Sequence, residues 1–152
     1  MTDQGFDIIG DIHGMVDVLK RLLAKLGYLR ADDRSPFIHP ENRQVIFVGD
    51  LIDRGENGIE VVEIAKAMTD AGSAITVMGN HELNAIFFAE EHPSGDYLRS
   101  HSEKNIEQHA AFLNQFKEGE GGVSKYKAII AWFKTLPLYY DCLLYTSPSP
   151  RD

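Results

Sequence analysis

Residues 45–58 read VIFVGDLIDRGENG, and how this stretch is read decides the fold. Its first four residues are an unbroken apolar run, the mark of a short strand buried on both faces. The run stops at Gly49 and gives way to Asp50, Asp53, Arg54 and Gly55. An ordinary strand-to-helix turn needs one such feature. A turn that holds two acids, an arginine and flanking glycines presents charged groups on purpose. The same plan recurs on either side. Upstream, the apolar residues 6–9 run into GDIHG at 10–14, and downstream, residues 74–78 run into GNHE at 79–82.

The segments between these runs have helical spacing. Val16, Leu19, Leu23 and Leu26 share a face, and Gly27 suits a helix C-terminal cap. Residues 59–68 carry a broad stripe through Val62, Ile64 and Ala65, stopped by Gly72. Residues 30–43, polar with Pro36 and Pro40, read as a surface excursion. The resulting β-α-β-α-β order predicts an α/β fold, a parallel sheet covered by helices on both faces. Beyond Glu82 the chain becomes mainly helical: residues 83–90, then a stripe through Ile106, Ala110, Leu113 and Phe116, then one through Tyr126, Ile129, Ile130 and Phe133. Gly121 and Gly122 separate the last two, and residues 138–140 read as the opening of a fourth strand.

Bulk properties narrow the function classes. The chain has 152 residues, 43% hydrophobic and 25% charged, enough for one domain with a core. A formal net charge of −8 excludes a nucleic-acid polymer as the main partner, because phosphate backbones need a basic face. A phosphorylated ligand stays open if divalent cations reverse the local field. Cys142 is the sole cysteine, so the chain holds no disulfide framework and no thiolate metal cluster. No secretion signal and no run of membrane-spanning length is present, which predicts a cytoplasmic protein with no membrane partner. The last residues, CLLYTSPSPRD at 142–152, turn abruptly Ser/Pro-rich. They read as a non-native or disordered tail, resembling a translated sequencing adapter, behind a domain spanning residues 1–141.

The strand ends carry the chemistry. In a parallel sheet the C-terminal strand ends share one edge, where ligands bind. Asp11, His13, Asp50, Asn80 and His81 therefore converge although distant in sequence. Carboxylate, imidazole and amide oxygen make a mixed donor set that suits manganese, iron or zinc better than calcium. Asp50 has two oxygens and can bridge a pair of cations. Arg54 offers a planar fork that matches phosphate oxygens. His81 is placed to protonate a leaving oxygen, with Asp53 as the partner that holds its tautomer. A lone Gly-Asp is ordinarily a turn and a lone histidine a surface residue; three such motifs in order, each at a strand end, are what point to a metal site. His39, His92, His101 and His109 lack that context and read as solvated; Glu82 could brace the ligand residues, but a helix-start acid is the cheaper account.

The triplet GDIHG, GDLIDRG, GNHE resembles the calcineurin-like metallophosphoesterases, and its DRG ending points to their phosphoprotein phosphatase branch, which includes bacterial symmetrical diadenosine tetraphosphate hydrolases. The resemblance spans about residues 6 to 141. It implies that the chain is the N-terminal part of a four-layer αββα sandwich, its parallel βαβαβ core followed by a mainly helical insertion. It also implies two divalent metal ions, Mn²⁺ foremost with Fe or Zn as alternatives, and hydrolysis of phosphate esters or anhydrides by metal-bound hydroxide. Asp11 and His13 would bind the first metal, Asp50 both, and Asn80 the second. His81 would be the general acid supported by Asp53, and Arg54 the substrate-binding residue. The substrate would be a phosphoprotein or a dinucleoside polyphosphate. Family members add later histidines and a further arginine, whereas this sequence has no histidine beyond His109. The alternative is a catalytically incomplete fragment acting only as a metal-binding or interaction module.

Overall fold

A computed structural model describes residues 5–117 and 121–141. Three short strands, β1 (Phe6–Ile9), β2 (Gln44–Phe47) and β3 (Ala74–Thr76), form a parallel sheet in sequential order. Phe6 pairs with Gln44, and Val45 pairs with Ala74. Helix α1 (Val16–Lys25) links β1 to β2, and α2 (Gly58–Asp70) links β2 to β3. The expected α/β core with its parallel sheet is therefore present.

The local reasons for these elements are those of the apolar spacing. Val16, Leu19 and Leu23 of α1 are buried against the sheet. The helix ends where Gly27 turns left-handed at φ 95°, which lets its N–H reach the Ala24 carbonyl and the Tyr28 N–H reach that of Leu23. In α2, Val61, Val62, Ala65 and Met68 are fully enclosed. Together with Ile9, Val45 and Phe47 they form one continuous core that also takes in Phe112, Ile129 and Phe133 from the later helices. Each such large side chain contributes roughly 1.5–3 kcal/mol on burial.

Helices on both faces of the sheet were the expectation, and that is corrected. The strands lie in the order they are made, and α1 packs against α2, so both connections share a face. On the opposite face Ile8 is 60% and Val48 44% exposed, and Ile46 is buried apart from the main core. The later helices are α3 (Asn80–Ala89), α4 (Glu103–Asn114) and α5 (Gly122–Phe133). α3 packs on α5 and α4 on α2, extending the core beyond the sheet. α3 starts at Asn80, three residues before the expected start, so the third motif opens a helix directly.

Two further expectations differ. No strand forms at residues 138–140: a single backbone bond joins the Met78 N–H to the Pro137 carbonyl at 2.9 Å, and Leu138 and Tyr139 then point to solvent. The excursion at 30–43 is pinned by an antiparallel bridge between Leu29 and Ile38 and buries Phe37 and His39, so His39 is not solvated. It stacks edge-on against the buried Tyr28 ring. Among the described residues no helix is long and apolar enough to cross a membrane. The tail expected at 142–152, Cys142 included, lies outside the described residues.

Candidate metal centre

The three motifs meet at the C-terminal edge of the sheet, and backbone bonds tie them together. The Ile12 and His13 N–H groups both donate to the Asp50 carbonyl, at 3.0 and 2.9 Å, and the Gly14 N–H donates to that of Leu51 at 2.8 Å. The Gly55 N–H returns to the His13 carbonyl at 2.9 Å. Glu82 completes the lacing from below. One of its oxygens accepts from the Asp50 N–H at 2.8 Å and the Gly79 N–H at 3.0 Å, and the other from the Leu51 N–H at 2.8 Å. Burial pushes the Glu82 carboxyl up, and these donors act against the shift. Glu82 is the helix-start acid expected, in the first turn of α3 and accepting from the Gly79 N–H that precedes it, and, fully enclosed, it also joins the second and third motifs.

Backbone strain collects at the same place. Among the described residues, five other than glycine adopt positive φ, and four of them are His13, Asp50, Asp53 and Arg54. A left-handed L-residue costs roughly 1–2 kcal/mol, so such a cluster persists only where the surrounding bonds impose it.

The side chains then converge. His13 is buried, and its Nδ1 donates to the Ile52 carbonyl at 3.0 Å, which leaves Nε2 as a bare lone pair. That nitrogen has no hydrogen-bond partner and faces Asp11 Oδ2 at 3.7 Å. One donor atom each from His13, Asp50 and His81 lies within 4.8 Å of the others. The tip of Asn80 sits 3.2 and 3.1 Å from the two Asp50 oxygens. An amide nitrogen there donates to Asp50, whereas an amide oxygen there needs a cation between the two. A buried imidazole lone pair ringed by two carboxylates and a carboxamide fits a divalent ion of mixed O/N preference.

Beside this cluster lies a second arrangement. Asp53 is almost fully buried, and each of its oxygens takes one imidazole: Oδ2 the His81 Nδ1 at 2.6 Å, Oδ1 the His109 Nδ1 at 2.6 Å. Burial pushes the Asp53 carboxyl up, but the His109 and His81 donors outweigh it and hold the group below its ordinary value. The ionised carboxylate thus fixes the tautomer of both rings, with the proton on Nδ1. The His81 ring also meets that of His13 edge-on, 4.8 Å between centroids. Arg54 is exposed at the rim, on the cavity of about 490 Å³ that Asp53, Asn80 and His81 also line.

Every expected site residue is accordingly at this edge. The expectation for His109 fails, since it is 1% exposed rather than solvated. The signal was available in the spacing. The apolar stripe assigned to this helix ran through Ile106, which is 45% exposed, whereas the inward face runs through His109 and Phe112. His92 and His101 do lie near solvent, His101 stacked between the Phe88 and Tyr97 rings.

The chain matches the calcineurin-like phosphoesterase family over residues 6–143. It belongs to that family. The family expected from the three motifs is thus borne out; calcineurin-like phosphoesterases use divalent metal ions, and His13, Asp50 and His81 form a possible site for one. Among curated relatives, the asymmetrical bis(5'-nucleosyl)-tetraphosphatase PrpE of Bacillus subtilis is 33% identical over 137 residues, covering 88% of this chain and 51% of the relative. Its namesake from Halalkalibacterium halodurans is 46% identical over 76 residues, covering 50% of this chain and 30% of the relative. The chain thus spans about half or less of the length of the curated relatives it matches. Among solved structures, a protein serine/threonine phosphatase from Saccharomyces cerevisiae with similarity to human phosphatase PP5 superposes with a TM-score of 0.51 at 20% identity. That match covers 91% of this chain and 35% of the phosphatase, and it speaks to the fold.

Proposed function

We propose that this calcineurin-like phosphoesterase chain, as residues 1–141, supplies the catalytic cluster for metal-dependent hydrolysis of phosphate esters or anhydrides, with a dinucleoside polyphosphate or a phosphoprotein as substrate. The observation that carries this reading is the buried, unpartnered Nε2 of His13, turned toward Asp11 and grouped with Asp50 and His81. Asp11, His13, Asp50 and Asn80 are the residues that would hold divalent ions, with Mn²⁺ the favoured identity. When bound, such ions bring the pKa of water toward neutrality and neutralise the charge on phosphoryl oxygens. The protein groups do the rest. Arg54 pairs its fork with the oxygens of the phosphoryl group under attack. His81 acts as general acid, giving a proton from Nε2 to the leaving oxygen, and Asp53, held on its other side by His109, keeps that ring oriented.

The relatives named as bis(5'-nucleosyl)-tetraphosphatases favour the anhydride substrate. The test is Mn²⁺ titration of the chain by calorimetry, beside hydrolysis of diadenosine tetraphosphate, a phosphopeptide and p-nitrophenyl phosphate. Mn²⁺ binding that Asp50→Asn weakens at least tenfold, together with metal-dependent turnover, is the expected result. One bound ion per chain with no hydrolysis of any of the three substrates would instead establish the metal-binding module. Absence of Mn²⁺ binding would end both readings.

A further inference from the structure

The cavity of about 490 Å³ beside the cluster is lined by Asp53, Arg54, Asn80 and His81, together with Asn84, Arg99, Glu107 and Gln108. One water's share of liquid is about 30 Å³, so a space of this size takes much more than a single phosphoryl group. Beyond the cluster the lining is mostly polar and includes a second cation, Arg99. The Arg99 backbone N–H is anchored to the Phe87 carbonyl at 2.9 Å. Its guanidinium Nη2 donates to Gln108 Oε1 at 3.0 Å and Asn105 Oδ1 at 3.3 Å. Both acceptors are uncharged amides, so they orient the fork without neutralising it. Among the described residues, neither Arg54 nor Arg99 forms an ion pair with a carboxylate. An arginine aimed by neutral side chains at a space shared with the reacting centre is preorganised for an anion.

We infer that Arg99, held by Gln108 and Asn105, forms a second anion subsite, which selects substrates whose attacked phosphoryl group is joined to at least one further phosphate. This inference rests on the reading of the adjoining cluster as the hydrolytic centre. It deepens that reading by choosing a polyphosphate chain over an isolated phosphomonoester. Arg54 takes the phosphoryl group beside Asn80 and His81, and Arg99 takes the next along the cavity. Glu107, exposed in the same lining, opposes a polyanion, and this gives the inference a test of opposite sign.

The experiment compares inorganic tripolyphosphate with orthophosphate by calorimetry on the full chain, with Mg²⁺ at a fixed excess. The wild type is expected to prefer tripolyphosphate. Arg99→Gln should cut that preference about tenfold, the loss of one charge-assisted contact. Arg99→Lys should retain part of the preference, because charge survives and the fork does not. Glu107→Gln should raise it. An unchanged preference in Arg99→Gln, or no preference in the wild type, overturns the subsite. Mn²⁺ titration of the same samples keeps the two readings apart. Normal Mn²⁺ binding without any Arg99 effect sinks the subsite alone, whereas an Arg99-dependent preference in a chain that binds no Mn²⁺ sinks the hydrolytic centre alone.

Discussion

Asp53 is a buried carboxylate whose two oxygens each hold one imidazole proton at 2.6 Å, and that symmetry gives the two histidines unequal work. His81 reaches the cavity, whereas His109 is enclosed by the Phe88 and Phe112 rings, 5.3 Å away between centroids in each case. The Nε2 of His109 has no hydrogen-bond partner, so the polar contact that the ring makes is the Nδ1 donation to Asp53. Removing that donor leaves half of a buried anion unsatisfied. His109→Ala should therefore destabilise the fold by about 2–4 kcal/mol, part from the lost hydrogen bond and part from the cavity. The check is a double-mutant cycle by urea denaturation. In an Asp53→Asn background the same substitution should cost at least about 1 kcal/mol less, since no buried charge is abandoned. Additive losses would show that His109 merely fills space.

At the scale of elements, the site depends on how closely the β2 turn meets the start of α3. Gly49 sits at φ 88°, and a Cβ there would lie 2.1 Å from the Gly79 nitrogen. A Cβ on Gly79 would in turn meet the Asp50 nitrogen at 2.3 Å. Gly49→Ala should thus cost about 2–5 kcal/mol, combining left-handed strain with backbone overpacking, and should weaken Mn²⁺ binding as Asp50 moves. Gly10→Ala is the contrast, because its Cβ would touch only a Val48 methyl at 3.8 Å. Its thermal midpoint should stay close to that of the wild type, and an equal loss at both positions would refute the packing argument. The three Gly-Asp or Gly-Asn pairs look alike in sequence, and only the packing around each separates them. Strand ends, helix order and the converging polar groups were legible, because each depends on local spacing. Glu82 was legible only as a helix-start acid, since a buried acid that also binds the backbone of a turn some thirty residues earlier leaves no periodic trace. His109 was misread for a smaller reason, a shift of the helix face by one position.

For the whole molecule, the sheet edge is clamped by Asp7 of β1, whose carboxylate joins three parts of the chain. Arg43, just before β2, donates from Nη2 to Oδ1 at 2.6 Å and from Nε to Oδ2 at 2.9 Å, and the Tyr28 hydroxyl donates to Oδ2 at 2.9 Å. The Arg43 bond chiefly holds the Asp7 carboxyl below its ordinary 3.8, against the opposing effect of burial. With the folded value depressed, the unfolded chain binds the proton more tightly. The clamp's stability is therefore fully present above pH 3.8 and is lost as pH falls through the folded value. Asp53, also lowered, follows the same sign, whereas Glu82, raised by burial, loses its contribution as pH rises above 4.5. Those two groups are common to wild type and Asp7→Asn, so the difference between the proteins isolates Asp7. Because Arg43 is partly solvated, the deficit of Asp7→Asn at pH 7 should be only about 1 kcal/mol. It should narrow steadily below pH 3.8, where the wild-type carboxyl becomes as neutral as the amide. Urea midpoints of the two proteins, taken at intervals from neutral to acid pH, measure this directly. A gap that stays constant with pH would mean that the clamp acts through shape and neutral hydrogen bonds, and that the charge on Asp7 contributes nothing.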